Sequence, residues 1–232
     1  MILNENLKRY LAIVLNKNVN NINYNDIYSL ETINISKMNY SNNLLEYNLS
    51  DLLSFPNLKN LIVNDSIIDI NDIMLLSKLL NLQKLEFNHC HLKGFFSFSN
   101  LIRLNNLTIN NCIVDNYNIF DNSNLKEFFI NNPYQNEIID INLLKKINNV
   151  KSLRLEKCNL INTDTLSNFI SLEELSLLDS NFNNLNYLYS LKNLKIIFIN
   201  NPQFNIKNIK DSLNIDVYSD IYSKIIPDYK EL

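Results

Sequence analysis

Leucine and isoleucine recur along this chain in two alternating rhythms. In Leu104-N-N-Leu107-T-Ile109-N-N-Cys112-I-Val114, a single polar residue separates Leu107 from Ile109. That is the period of a half-buried strand. In Leu166-S-N-Phe169-I-S-Leu172 and Leu185-N-Y-Leu188-Y-S-Leu191 the apolar residues stand three apart, a helical or 3-10 period. The two rhythms then repeat. Close copies of the strand pattern start at Leu82, Leu104 and Val150, and looser ones at Leu30, Leu58, Leu125, Leu172 and Leu194, at intervals of 21 to 28 residues. Eight copies at nearly one period mark a repeat architecture. One copy cannot bury its apolar face alone, so neighbours stack. The expectation is an α/β solenoid with parallel strands on one side and short helices or 3-10 turns on the other.

Stacked repeats need capped ends. Residues 1–29 read as an N-terminal cap and lead-in, 30–209 as about eight repeats, and 210–232 as a C-terminal cap, one domain in all. Leu3, Leu7, Tyr10, Leu11 and Val14 fall on one face of a predicted first helix. Leu213, Ile215 and Val217 read as a last strand, and residues 218–226 as a short closing helix.

The pentapeptide FINNP occurs at residues 129–133 and again at 198–202, 69 positions apart, which is three periods. Duplication of a three-repeat block accounts for its origin. The register puts Ile130 and Ile199 inward, and Phe129 and Phe198 outward onto the concave face. The central outward row reads Asn34, Ile62, Glu86, Thr108, Phe129, Arg154, Ser176 and Phe198. The next reads Ser36, Asn64, Asn88, Asn110, Asn131, Glu156, Leu178 and Asn200. Strands about 4.8 Å apart let the asparagines of that second row hydrogen-bond to one another as a ladder. Phe129, Leu178 and Phe198 surround Arg154 and Glu156, and exposed aromatics beside an arginine are the usual makeup of a protein-binding hot spot. These five, with Asn131 and Asn200, are the candidate partner-binding residues.

Composition narrows the chemistry. The chain has 232 residues, a single glycine at Gly94 and no tryptophan. Phosphate loops and nucleophile elbows need glycines, so most compact α/β enzyme folds are excluded. Asparagine supplies 47 residues; it tolerates left-handed turns and stands in for the missing glycine. The net charge is −3 and no basic stripe is present, which argues against a nucleic-acid partner. No apolar run reaches the length of a membrane span, and the first residues do not read as a secretory signal. Export would require a signal upstream of Met1.

Cys90, Cys112 and Cys158 share one inward slot with Met38, Ser66, Ser180, Pro133 and Pro202. They read as core thiols, and three unpaired thiols fit a reducing, cytoplasmic setting. Proline cannot supply the slot's hydrogen bond, so the two proline rungs are expected to turn differently. His89-Cys90-His91 is a poor metal site, since Cys90 belongs to the core. No catalytic, metal or cofactor residues are assigned. The acceptor patterns at Asn34, Asn64 and Asn106 fall in strands, where glycans would foul the fold.

The unit L-x-x-L-x-L-x-x-C-x-L resembles the short, about 22-residue leucine-rich repeats of bacterial internalin-type proteins, from Leu30 to about Phe204. Ile22–Leu30 is similar to the lead-in that precedes the first repeat in many of them. The resemblance implies a right-handed solenoid with a parallel sheet on the concave face. It implies a non-enzymatic, scaffold-like module, expected as a monomer, that binds a partner protein through that sheet. A surface-exposed or secreted adhesin or host-directed factor is the alternative, and a regulatory or scaffolding subunit of an enzyme is the third. Self-association through the aromatic patch is compatible with each.

Overall fold

The computed structural model describes residues 5–36, 49–94, 97–116, 124–132 and 138–220. Its strands, in chain order, are β1 (Thr32–Ser36), β2 (Asn60–Asn64), β3 (Ile67–Ile68), β4 (Lys84–Asn88), β5 (His91–Leu92), β6 (Asn106–Asn110) and β7 (Ile113–Val114), followed by β8 (Glu127–Asn131), β9 (Ile138–Asp140), β10 (Ser152–Glu156), β11 (Asn159–Ile161), β12 (Glu174–Ser176), β13 (Ile196–Phe198) and β14 (Asp216–Tyr218). The backbone forms two compact units, Met1–Asn105 with Cys112–Asn122, and Asn106–Asn111 with Ser123–Leu232.

In the first unit β1, β2 and β4 run parallel, with Ile33, Leu61 and Leu85 in one rung. A smaller parallel sheet of β3, β5 and β7 follows the corner of each repeat. In the second unit β6, β8, β10, β12, β13 and β14 form one parallel ladder. There β9 pairs with β11, and 3-10 helices at Ile141–Ile147, Thr163–Asn168 and Asn186–Ser190 return the chain. The alternation read from the sequence holds. Leu61, Val63, Leu85, Phe87, Leu107, Ile109, Leu153 and Leu155 are all buried. This is the leucine-rich-repeat solenoid.

A left-handed residue turns the chain after β2, β4, β6, β10 and β12. Asp65, His89, Asn111, Lys157 and Asp179 have φ between 46° and 55°, and each precedes the inward slot of its repeat. Asn132 and Asn201, which precede the two prolines, are not left-handed. The residue before a proline is steered out of that region, so the proline rungs do turn differently. Pro133 itself lies outside the described residues.

The inward slot then ties neighbouring repeats together. Cys112 Sγ accepts the Cys90 N–H at 3.3 Å and lies 3.3 Å from the Phe87 carbonyl. Ser180 Oγ accepts the Cys158 N–H at 3.0 Å and donates to the Leu155 carbonyl at 2.6 Å. Both groups therefore satisfy a corner N–H and a strand carbonyl of the repeat before. All three cysteines are free and buried. The Cys112 hydrogen bond, then burial, push the Cys90 thiol far above its usual value, so it stays a protonated donor.

The first helix, α1 (Glu5–Val14), buries Leu7, Leu11 and Ala12. Val14 is exposed, a correction to the predicted face, and Leu3 lies outside the described residues. Tyr10 Oη accepts the Asn34 N–H at 3.0 Å, capping a donor of the first strand. The lead-in helix α2 (Tyr24–Ser29) carries a capping box between Asn23 and Asp26, and α3 is Ile70–Leu76. At the C-terminal end the reading is corrected again. Leu213 ends a helix, α4 (Ile206–Leu213), and the last strand is β14, with Tyr218 inside it. Ser219 and Asp220 are not helical, and residues 221–226 of the predicted closing helix lie outside the described residues. Among the described residues, no helix is long and apolar enough to cross a membrane.

Two stability outcomes follow. Holding a non-glycine residue left-handed costs roughly 1–2 kcal/mol, and glycine's extra unfolded-state entropy returns about 0.5–1 kcal/mol of that. Lys157→Gly should therefore raise the melting temperature by about 2 °C; a fall in a calorimetric scan would show that the Lys157 side chain itself stabilises the corner. Ser180→Ala removes the acceptor of the Cys158 N–H and the donor to the Leu155 carbonyl, and should lower stability by about 1–3 kcal/mol in urea unfolding, whereas Ser180→Cys should keep most of it.

Candidate interaction face

The outward row of the second unit falls where the pattern places it. Register pairs Thr108 with Phe129, Phe129 with Arg154, Arg154 with Ser176, and Ser176 with Phe198. The row then continues one rung further, to Tyr218. That extra rung changes the site. The Phe198 and Tyr218 rings stack with centroids 5.5 Å apart, and Phe198 is 1% exposed. Register alone predicts an exposed Phe198; Tyr218, which lies in a strand and not in the predicted helix, covers it.

The lower row divides in two. Asn131 Nδ2 donates to Asn110 Oδ1 at 2.9 Å, and in the first unit Asn88 donates to Asn64 at 3.0 Å and Asn64 to Asn34. The asparagine ladder is real on these rungs. It does not extend to Asn200, which is exposed but locked to Asp179. Its Nδ2 donates to Asp179 Oδ1 at 2.7 Å, and its Oδ1 accepts the Asp179 N–H at 2.8 Å. Leu178 is 8% exposed and Glu156 9%, so neither is presented to solvent as the reading required. Ser176 Oγ donates to Glu156 Oε1 at 2.7 Å. Asn131 Oδ1 is buried without a hydrogen-bond partner among the described residues. Its register neighbour Glu156 offers only acceptors.

What stays open is the part of the face around Phe129 and Arg154. Phe129 is half-buried. The Arg154 side chain is 34% exposed, and its Nε and Nη2 both donate to Glu174 Oε1, at 3.2 and 2.8 Å. Ser152 Oγ donates to the same carboxylate oxygen at 3.3 Å, so Glu174 holds both side chains. Along the strand starts, Glu173 bridges Lys151 and Lys195 at 2.7 and 2.5 Å. Hydrogen bonds and charge from Lys151, then Lys195, hold the Glu173 carboxyl down to about 2. Glu173 and Glu174 are thus both bound into ion pairs.

The histidines diverge. His89 is left-handed, with Nδ1 3.9 Å from Asp65 Oδ1. His91 Nε2 lies 2.7 Å from Asp115 Oδ1, and its hydrogen bond holds the Asp115 carboxyl below its usual range. Cys90 points into the core between them. Among the described residues, no group of three His, Cys, Asp or Glu is placed to hold a metal ion.

No family model and no curated protein matches this sequence. Solved structures do match. Internalin C2 from Listeria monocytogenes is 21% identical, over 83% of this chain and 91% of its own, with a TM-score of 0.56. A leucine-rich-repeat protein of Leptospira interrogans is 17% identical, over 75% of this chain and 44% of its own, at 0.56. TLR13 in its complex with ssRNA13 is 22% identical, over 83% and 30%, at 0.55. The chain thus spans less than half of the latter two. By fold it is a leucine-rich-repeat protein, similar in its repeats to the internalins.

Glu156→Gln supplies the missing donor to Asn131 Oδ1, keeps an acceptor for Ser176 and removes a charge from a buried position. It should raise the urea midpoint by the equivalent of about 1 kcal/mol at unchanged slope. A lower midpoint would mean that the carboxylate has a partner the amide cannot serve.

Proposed function

We propose that the protein is a non-enzymatic interaction module that docks a partner protein on the open sheet face of the second unit, centred on Phe129 and Arg154. Leucine-rich-repeat folds commonly serve protein–protein interaction, and this reading narrows that use to one face. The observation that carries it is Phe129, a half-buried aromatic ring in the middle of a fully paired parallel ladder. A rigid sheet loses little conformational entropy on binding, and an aromatic beside a guanidinium is the side-chain pair that most often dominates binding energy. Asn131, half-buried on the adjoining row, borders the same face. Phe198, Leu178 and Glu156 are buried and are left out of the partner contacts. The three unpaired thiols support a reducing, cytoplasmic setting for this module.

The test compares wild type with Phe129→Asp and Arg154→Glu as bait in lysate of the source organism, after matched thermal melts. The expected result is a protein captured by wild type and lost at least tenfold with either variant. Equal recovery with all three baits would remove this face as the site.

A further inference from the structure

A second feature of the same unit lies away from the sheet face. Between the 3-10 helix Asn186–Ser190 and α4, the surface opens into a cavity of about 430 Å³. A neighbouring cavity of about 420 Å³ lies at the corners of β10, β12 and β13, and Gln203 lines both. Volumes of this order match small-ligand sites of about 300–1,000 Å³.

The lining of the first cavity has a definite chemistry. It contains no Lys, Arg, Asp, Glu or His. Its apolar part includes two aromatic rings. Tyr189 is 59% exposed, and Phe204 stacks on buried Phe182 at 5.2 Å with the planes within 8°. That stack fixes the Phe204 ring against the wall. The polar part is amide. Asn184 Oδ1 accepts the Asn186 N–H at 3.1 Å, and Asn205 Oδ1 accepts the Asn208 N–H at 3.2 Å. With their oxygens held, each presents an Nδ2 donor in a fixed direction. Gln203 adds a free-swinging amide between the two cavities.

Asparagine is abundant everywhere in this chain, so the amides alone decide nothing. The combination with fixed rings and absent charge does. An uncharged cavity offers no counter-ion to phosphate, carboxylate or ammonium ligands, whose desolvation would go uncompensated. A purely apolar ligand would strand the amide donors. A ligand with a C–H face for an aromatic ring and hydroxyl or acetamido groups for the amides satisfies both halves of the wall.

We infer that the cavity between Tyr189 and Phe204 is a binding site for a neutral saccharide, with Gln203 at its edge. This role is separate from the sheet face and does not depend on it.

The probe is chitotriose, with maltotriose as a second neutral sugar and sialyllactose as an anionic comparison, measured on the full chain by saturation-transfer NMR and calorimetry. The expected result is chitotriose or maltotriose binding with a Kd on the order of 1 mM or tighter, and sialyllactose at least tenfold weaker. Tyr189→Ala and Gln203→Ala change exposed side chains and should leave the melting temperature in place while weakening sugar binding at least fivefold. Phe129→Asp should leave sugar binding unchanged. The inference is overturned if neither neutral sugar binds at about 10 mM, if sialyllactose binds equally well, or if Tyr189→Ala binds as wild type does.

Discussion

Everything in this protein hangs on the corner that follows each strand. Ordering the backbone of a repeat of about 22 residues costs roughly 20–40 kcal/mol, while fully burying one leucine contributes about 1.5–3 kcal/mol. A lone repeat, with its half-dozen apolar residues, falls short. It is stable only when its strand carbonyls, its corner N–H and its apolar side chains all find partners in the next repeat. Cys112 and Ser180 make that dependence concrete, each serving a corner N–H and a strand carbonyl of the repeat before it. Where the slot holds Ser or Cys, a left-handed residue sits immediately before it. That is why Asn, Asp, His and Lys recur there in a chain with one glycine.

This dependence also explains what could be read from the sequence. Apolar alternation and the inward slot repeat with the period of the fold, so they fixed the strand register and the outward rows of the second unit to the residue. Thr108, Phe129, Arg154, Ser176 and Phe198 were placed in one row from spacing alone, and they lie in one row. The chain's end has no periodic neighbour to calibrate it. Leu213, Ile215 and Val217 satisfy strand alternation as well as Leu213 satisfies a helix, and only packing against the last repeat separates the two. Tyr218 belongs to that last strand and covers Phe198, so the open patch is smaller than the spacing predicts.

Exposure is the harder inference because it is not local. Alternation tells which face a residue occupies, yet whether that face is open depends on what lies over it. Glu156 pairs with Asn131 in the expected row and is nonetheless buried, as is Leu178 in the turn after β12. The asparagine row shows the same limit. The ladder follows from register where the neighbour is another asparagine, as for Asn110 and Asn131. It fails at Asn200, whose better partner, Asp179, offers both a carboxylate and a backbone N–H.

A repeat protein separates these demands by position, and that separation is what makes a binding reading reasonable. Inward residues and corners carry the stacking, and substitutions there act through stability. The open residues around Phe129 contribute little to it, since a half-buried ring on a fully paired ladder can be lost without unstitching a rung. Arg154 is intermediate, because its bond to Glu174 orients the guanidinium while leaving a third of the side chain accessible. A surface that is rigid, aromatic and charge-oriented yet dispensable for folding is free to be shaped by a partner. Phe129 and Arg154 meet those conditions together.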